Sequence, residues 1–155
     1  MSNQYLNELL RRIDSETMSM GEWLCRNTML RGQPFSFDRY PFQRRIADDM
    51  HMNMDVIKPS QIGLSEIQIR KTLGFIARHR GTTAIFTMPN EKMFKRISTT
   101  RIKPLVEEEK VFNLETRNGE KPTRSMGLYQ VGTSFMFVTG ATEGDATSIS
   151  ADAVF

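Results

Sequence analysis

Met54-Asp55-Val56-Ile57-Lys58-Pro59-Ser60-Gln61-Ile62-Gly63-Leu64-Ser65 is the stretch whose reading decides the fold. Its first four residues read as a short strand, and Lys58–Leu64 as a loop carrying Pro, Ser and Gly. Ser65 then opens a helix to about Arg80, with Ile69, Leu73 and Ile76 along one face, and Gly81 supplies its stop. Thr83–Met88 is a nearly continuous apolar run, the pattern of a strand inside a parallel sheet. A further helix follows Pro89-Asn90 through Met93, Phe94 and Ile97, and Pro104 is expected to break it and restart a short turn. Strand, loop, helix, strand, helix is the order of an α/β fold with a parallel sheet flanked by helices.

Upstream, Leu6, Leu9, Leu10 and Ile13 set a helix over about 4–13. A second helical stretch covers Met20–Met29 and stops near Gly32, and Pro34–Phe37 is extended or looped. Pro41 suits the first turn of a helix over about 41–52 that carries Phe42, Ile46 and Met50. Downstream, residues 113–125 form a polar loop. Leu128–Val131 and Phe135–Thr139 form a hairpin across Gly132-Thr133, and Ala151–Phe155 begins a strand. No repeat or low-complexity segment interrupts the chain, so one continuous domain is expected.

The 155 residues are 39% hydrophobic and 25% charged, the balance of a globular chain rather than a disordered one. Apolar runs are a few residues long, too short for a membrane-spanning helix, and no secretory signal is expected. A single cysteine, Cys25, excludes an internal disulfide and a CxxC zinc site, and a reduced, cytoplasmic setting follows as the expectation. The eleven methionines read as packing. The net charge of +3 arises wholly in residues 1–80. In the balanced second half, Lys92, Lys95, Arg96, Arg101 and Lys103 form an acid-free run ahead of Glu107, Glu108 and Glu109. That run reads as a solvated helix face or, more sharply, as a patch that tracks nucleic-acid phosphates.

The loop repays comparison with the phosphate-binding pattern G-x-x-x-x-G-K-[ST]. Gly63 and Ser65 fall on its second glycine and its metal-binding hydroxyl, whereas Lys58 replaces the first glycine and Leu64 the lysine. A lysine at the start of the loop can supply the cation from the opposite end. The bland alternative is an ordinary turn in which Gly63 gives backbone freedom and Ser65 caps the helix. Before the loop, Tyr40-Pro41-Phe42-Gln43 offers a ring to stack on adenine and an amide to pair with its edge, although Gln43 alone reads as a surface residue.

Together these residues resemble the N-terminal ATPase region of the large subunit of tailed-phage terminase, from about Trp23 to Phe155. Lys58-Pro59-Ser60-Gln61-Ile62-Gly63-Leu64-Ser65 resembles the deviant Walker A loop of several terminases, with its lysine first, and Tyr40-Pro41-Phe42-Gln43 resembles the adenine-recognition segment. Thr83–Pro89 with Arg101-Ile102-Lys103-Pro104-Leu105 is similar to the next strand and helix. Gly140-Ala141-Thr142 with Ser148–Phe155 is similar to the approach to Walker B. The resemblance implies a P-loop NTPase-like α/β fold, with residues 1–40 a helical lead-in and 41–155 the core. It implies ATP and Mg2+ as cofactors, with Lys58 holding the β- and γ-phosphates, backbone N–H groups near Ile62 and Gly63 cradling them, and Ser65 ligating the metal. Tyr40 and Gln43 would recognise adenine. It further implies double-stranded DNA, a portal and a small terminase subunit as partners, a homo-oligomeric ring, and work in the bacterial host cytoplasm. The family's catalytic acids follow the strand at 151–155, so on this resemblance the core is incomplete at its C-terminal end and weak binding with negligible hydrolysis is expected. Asp152 lies too early in that strand for their role and is expected to be structural.

The remaining constellations read as structural. Gly63-Leu64-Ser65-Glu66-Ile67 lacks the second glycine of a nucleophile elbow. His51 and Asp55 share i, i+4 spacing but no third ligand. His79 lies at a helix end, Cys25 reads as buried, and Glu143 and Asp145 read as solvated loop acids. Two other functions fit in outline. One is a DNA-binding or assembly module using the Lys92–Lys103 run and an Arg70, Lys71, Arg78, Arg80 face. The other is a different P-loop translocase or helicase.

Overall fold

A computed structural model describes residues 17–51, 53–114, 119–140 and 149–155. The helix expected over 4–13 and the residues Ala141, Thr142, Glu143, Asp145 and Ser148 lie outside the described residues. Contacts divide the chain into two compact units, Met1–Val56 and Ile57–Phe155.

In the first unit, Ser19 caps helix α1 (Met20–Asn27) by accepting the Glu22 N–H at 3.3 Å, and Met20, Trp23 and Leu24 are buried. The helix ends two residues before Met29, because Thr28 turns extended and its hydroxyl donates to the Leu24 carbonyl. Met29 and Leu30 instead form strand β1, paired antiparallel with β2 (Gln33–Pro34). Arg31 at φ +53° and Gly32 at φ +76° make the tight turn between them. Helix α2 (Phe42–Asp48) follows Pro41 but stops short of residue 52. Asp49 accepts the His51 N–H at 3.0 Å, a local side-chain bond that competes with the helical ladder. The Gly21 N–H donates to the Asp48 carboxylate at 2.6 Å, and a Cβ at Gly21 would stand 2.8 Å from that same oxygen. Only glycine lets α1 and α2 approach this closely.

Met54–Ile57, which runs from the last residues of the first unit to the first residue of the second, is not a strand: the segment has no ladder partner and Ile57 is fully exposed. Helix α3 (Leu64–Arg78) begins one residue before Ser65, so Ser65 is not its cap; Gly63, left-handed at φ +74°, occupies that position. Strand β3 (Thr83–Met88) has the bounds the sequence implies. Helix α4 (Glu91–Ile97), capped by the Asn90 side chain on the Met93 N–H, runs without a gap through a π-helical turn (Ser98–Ile102) into α5 (Lys103–Glu108). Pro104 therefore does not break the path. The Lys103 N–H already bonds back to the Ser98 carbonyl, and proline sits in the first turn of α5, where its missing N–H is tolerated. Strands β4 (Arg124–Ser125), β5 (Leu128–Val131), β6 (Ser134–Gly140) and β7 (Ala153–Val154) complete one sheet, ordered β4-β5-β6-β3-β7.

The sheet is mixed. Strand β3 pairs parallel with β6, from Thr83↔Phe135 to Met88↔Gly140, and with β7 through Ala84↔Ala153. The β5–β6 hairpin and β4 are antiparallel. Helix α3 packs on β3, β5 and β6, and α4 on β3 and β6. Ile67, Leu73 and Ile76 of α3 and Ala84, Phe86, Met136 and Val138 of the sheet are buried, each large apolar side chain stabilising by about 1.5–3 kcal/mol. Asp152 has a structural job: its carboxylate accepts the Thr83 N–H at 2.7 Å while its own N–H donates to the Thr83 carbonyl, which fixes the register of β7.

Candidate functional site

The loop between residues 57 and 64 is built around two left-handed residues, Gln61 at φ +61° and Gly63 at φ +74°. They flank Ile62 and curl the chain ahead of α3, the kind of turn that directs backbone N–H groups into one concavity. The Gly63 carbonyl accepts the Glu66 and Ile67 N–H groups at 3.1 and 3.3 Å, which closes the first helical turn. No side chain caps the helix. The N–H groups of Leu64 and Ser65 are those a helix leaves for an outside acceptor, and the positive end of the helix dipole favours an anion there. Ser65 is exposed in that turn and Leu64 is buried beneath it. Lys58, Pro59, Ser60 and Gln61 are exposed; the Lys58 ammonium donates to the Pro59 carbonyl at 3.3 Å, a surface contact that an anion displaces easily.

Behind the loop stands a charged cluster that the sequence reading missed. Glu66 meets Arg70 Nε at 2.9 Å and Arg101 Nη1 at 3.8 Å. Arg70 is 2% exposed, so its guanidinium is a buried charge held against the first turn of α3. The i, i+4 spacing of Glu66 and Arg70 was a usable signal. Nothing local to either residue joins Arg101 to Glu66. Arg101 comes from the π-helical turn, which β5 anchors: the Tyr129 hydroxyl donates to the Ser98 carbonyl at 3.1 Å and also meets the Ser98 hydroxyl. Burial pushes the Tyr129 phenol up from its usual value, with the Ser98 hydrogen bond opposing.

Tyr40 and Gln43 belong to the first unit. Gln43 is 6% exposed, contrary to its surface reading, and its N–H donates to the Tyr40 carbonyl. The Arg39 guanidinium lies 5.5 Å from the Tyr40 ring centroid, and Phe42 meets that ring edge-on. His51 pairs with Asp49 at 2.6 Å, not with Asp55. Among the described residues no group of three His, Cys, Asp or Glu could hold a metal. Cys25 is half-buried rather than buried, and desolvation, opposed by Arg44, pushes its thiol up. His79 ends α3 with its ring against Phe75.

The basic surfaces separate. Arg70 and Lys71 are buried, which removes half of the Arg70, Lys71, Arg78, Arg80 face as a phosphate-tracking surface. In the second run, Lys95 pairs with Glu91 and Lys103 with Glu107, leaving Lys92 and Arg96 exposed beside them.

A family model described as phage terminase large subunit gpA, ATPase domain, matches residues 31–150. The chain belongs to this family. The match takes in both the Tyr40–Gln43 segment and the Lys58–Ser65 loop, and assigns this terminase chain a nucleotide-using ATPase domain of a phage packaging motor. No curated protein and no solved structure matches it. Across the described residues of the terminase domain, no helix is long and apolar enough to cross a membrane.

Proposed function

We propose that this chain is the ATP-binding part of the motor that drives double-stranded DNA into a phage procapsid, with Lys58–Ser65 as its phosphate-binding loop. Membership of the terminase ATPase family carries the reading, and the uncapped start of α3 behind two left-handed residues supports the placement. Phosphoryl transfer asks a protein chiefly for positioning and charge stabilisation. Here Lys58 is the cation for the β- and γ-phosphates, the N–H groups around Ile62, Gly63 and Leu64 form the cradle, and the Ser65 hydroxyl is the Mg2+ ligand. Tyr40 and Gln43 recognise adenine, the first by its ring and the second by its amide. ATP·Mg2+ supplies the phosphoanhydride bond; no residue of this chain is assigned the water-activating role. The wider reading places the motor in the host cytoplasm as a ring on the portal, working with a small subunit.

The test is calorimetric titration of ATP with Mg2+ into wild type, Lys58→Ala and Ser65→Ala. Loss of one charge-assisted phosphate contact lowers affinity about tenfold in Lys58→Ala, while Ser65→Ala weakens chiefly the Mg2+-dependent part. Unchanged affinity in Lys58→Ala refutes the loop assignment.

A further inference from the structure

The Glu66–Arg101 contact is weak by construction. Its 3.8 Å separation is at the outer limit of an ion pair, and the Arg101 side chain is 46% exposed. Glu66 is already neutralised by Arg70 at 2.9 Å, so it loses little when Arg101 departs. Glu66 also lies in the first turn of α3, one residue past Ser65, so the Arg101 guanidinium stands beside the end of the helix that attracts anions. A carboxylate so placed repels an incoming phosphate, and the two arginines offset that repulsion. The π-helical turn that carries Arg101 is held by Tyr129 through Ser98 rather than by the ion pair, and Arg101 can move without unseating it.

We infer that Arg101 exchanges partners, resting on Glu66 in the empty protein and turning to the terminal phosphate of a bound nucleoside triphosphate. Guanidinium prefers that acceptor, because a terminal phosphate carries more charge than Glu66 and offers two oxygens to its planar fork, whereas one oxygen of Glu66 is already held by Arg70. The exchange makes Arg101 the residue that distinguishes triphosphate from diphosphate at this loop, and it makes the turn between α4 and α5 the element that registers the difference. Arg70 stays on Glu66 throughout and keeps the start of α3 in place. The inference rests on the Lys58–Ser65 loop being the phosphate site.

The experiment titrates ATP, a non-hydrolysable ATP analogue and ADP, each with Mg2+, into wild type, Arg101→Ala, Arg101→Lys and a control, Arg96→Ala. Expected is a loss of about tenfold in affinity for ATP and its analogue in Arg101→Ala, with ADP affinity and the melting temperature of the unliganded protein unchanged. Arg101→Lys keeps the charge without the fork and falls between, and Arg96→Ala matches wild type. Equal losses for ATP and ADP assign Arg101 a purely structural role and overturn the inference, as does ATP affinity that does not change. Wild type that binds none of the three nucleotides overturns the loop reading, and the inference with it.

Discussion

Glu66 and Arg70 form one ion pair, but their removal should have unequal consequences. Glu66 has a side chain 25% exposed and a second arginine nearby, whereas Arg70 is 2% exposed. Deleting the carboxylate takes a 2.9 Å charge partner from a buried guanidinium; deleting the guanidinium leaves a carboxylate that water and Arg101 still serve. Removing one partner of a buried pair costs about 3–5 kcal/mol, and Glu66→Ala is expected near the lower bound because water already reaches its carboxylate. Arg70→Met, which keeps most of the volume without the charge, is expected to cost about 1 kcal/mol. At about 4 °C for each kcal/mol, the melting temperature falls by about 12 °C in the first variant and about 4 °C in the second. Denaturant unfolding followed by far-UV circular dichroism at neutral pH measures both. Added salt should change the difference little, since screening acts weakly on a buried charge. Equal losses in the two variants, or less than about 1 kcal/mol for Glu66→Ala, refute the argument that exposure decides which partner suffers.

Tyr129→Phe removes a hydroxyl that serves buried Ser98 twice, and about 1–2 kcal/mol of stability at neutral pH should go with it. Burial raises the phenol in the folded chain, so the folded state keeps a proton that the unfolded state gives up above about pH 10. Wild-type stability therefore declines as the pH rises through that value, and the gap to Tyr129→Phe narrows; denaturation midpoints on either side of it test the sign. The raised Cys25 thiol should be alkylated by iodoacetamide more slowly at pH 8 than in the denatured chain. Equal rates would contradict its desolvation. Gly63→Ala forces a side chain into a left-handed conformation at a cost of about 1 kcal/mol, and Gly63→Asn, which tolerates it better, should lose less in the same melts.

What could be read from the sequence was what neighbours decide. Thr83–Met88 is apolar apart from its two threonines and bounded by Gly81 and Pro89, and no partner was needed to find its ends. The hairpin across Gly132-Thr133 was equally local. Met54–Ile57 carries a strand's composition but no ladder, because strand formation depends on a second backbone that composition does not specify. At the site, the need for backbone freedom at Gly63 was legible from the loop pattern, whereas a cap at Ser65 was not borne out. The burial of Gln43, Arg70 and Lys71 was not, since polar side chains advertise solvent and only tertiary packing encloses them. Arg101 was read as part of a basic run, but its contact with Glu66 was not legible for the same reason: that contact reaches back across strand β3.

Strand β3 also bears on how the chain is made. Both of its ladder partners are later in the sequence; the nearer, β6, begins pairing at Phe135 against Thr83, a separation of 52 residues. At a synthesis rate of about 5–20 residues per second, β3 waits a few seconds on the ribosome before a partner exists. During that interval an almost wholly apolar segment, Thr83-Ala84-Ile85-Phe86-Thr87-Met88, is without its sheet partners, and α3 and α4 are the helices that pack on it. The β5–β6 hairpin closes within ten residues of chain once it emerges, and its arrival is the step that completes the centre of the sheet. Slowed closure of Leu128–Gly140 would prolong the exposure of β3, and its first effect would be on soluble yield, upstream of any effect on the nucleotide loop.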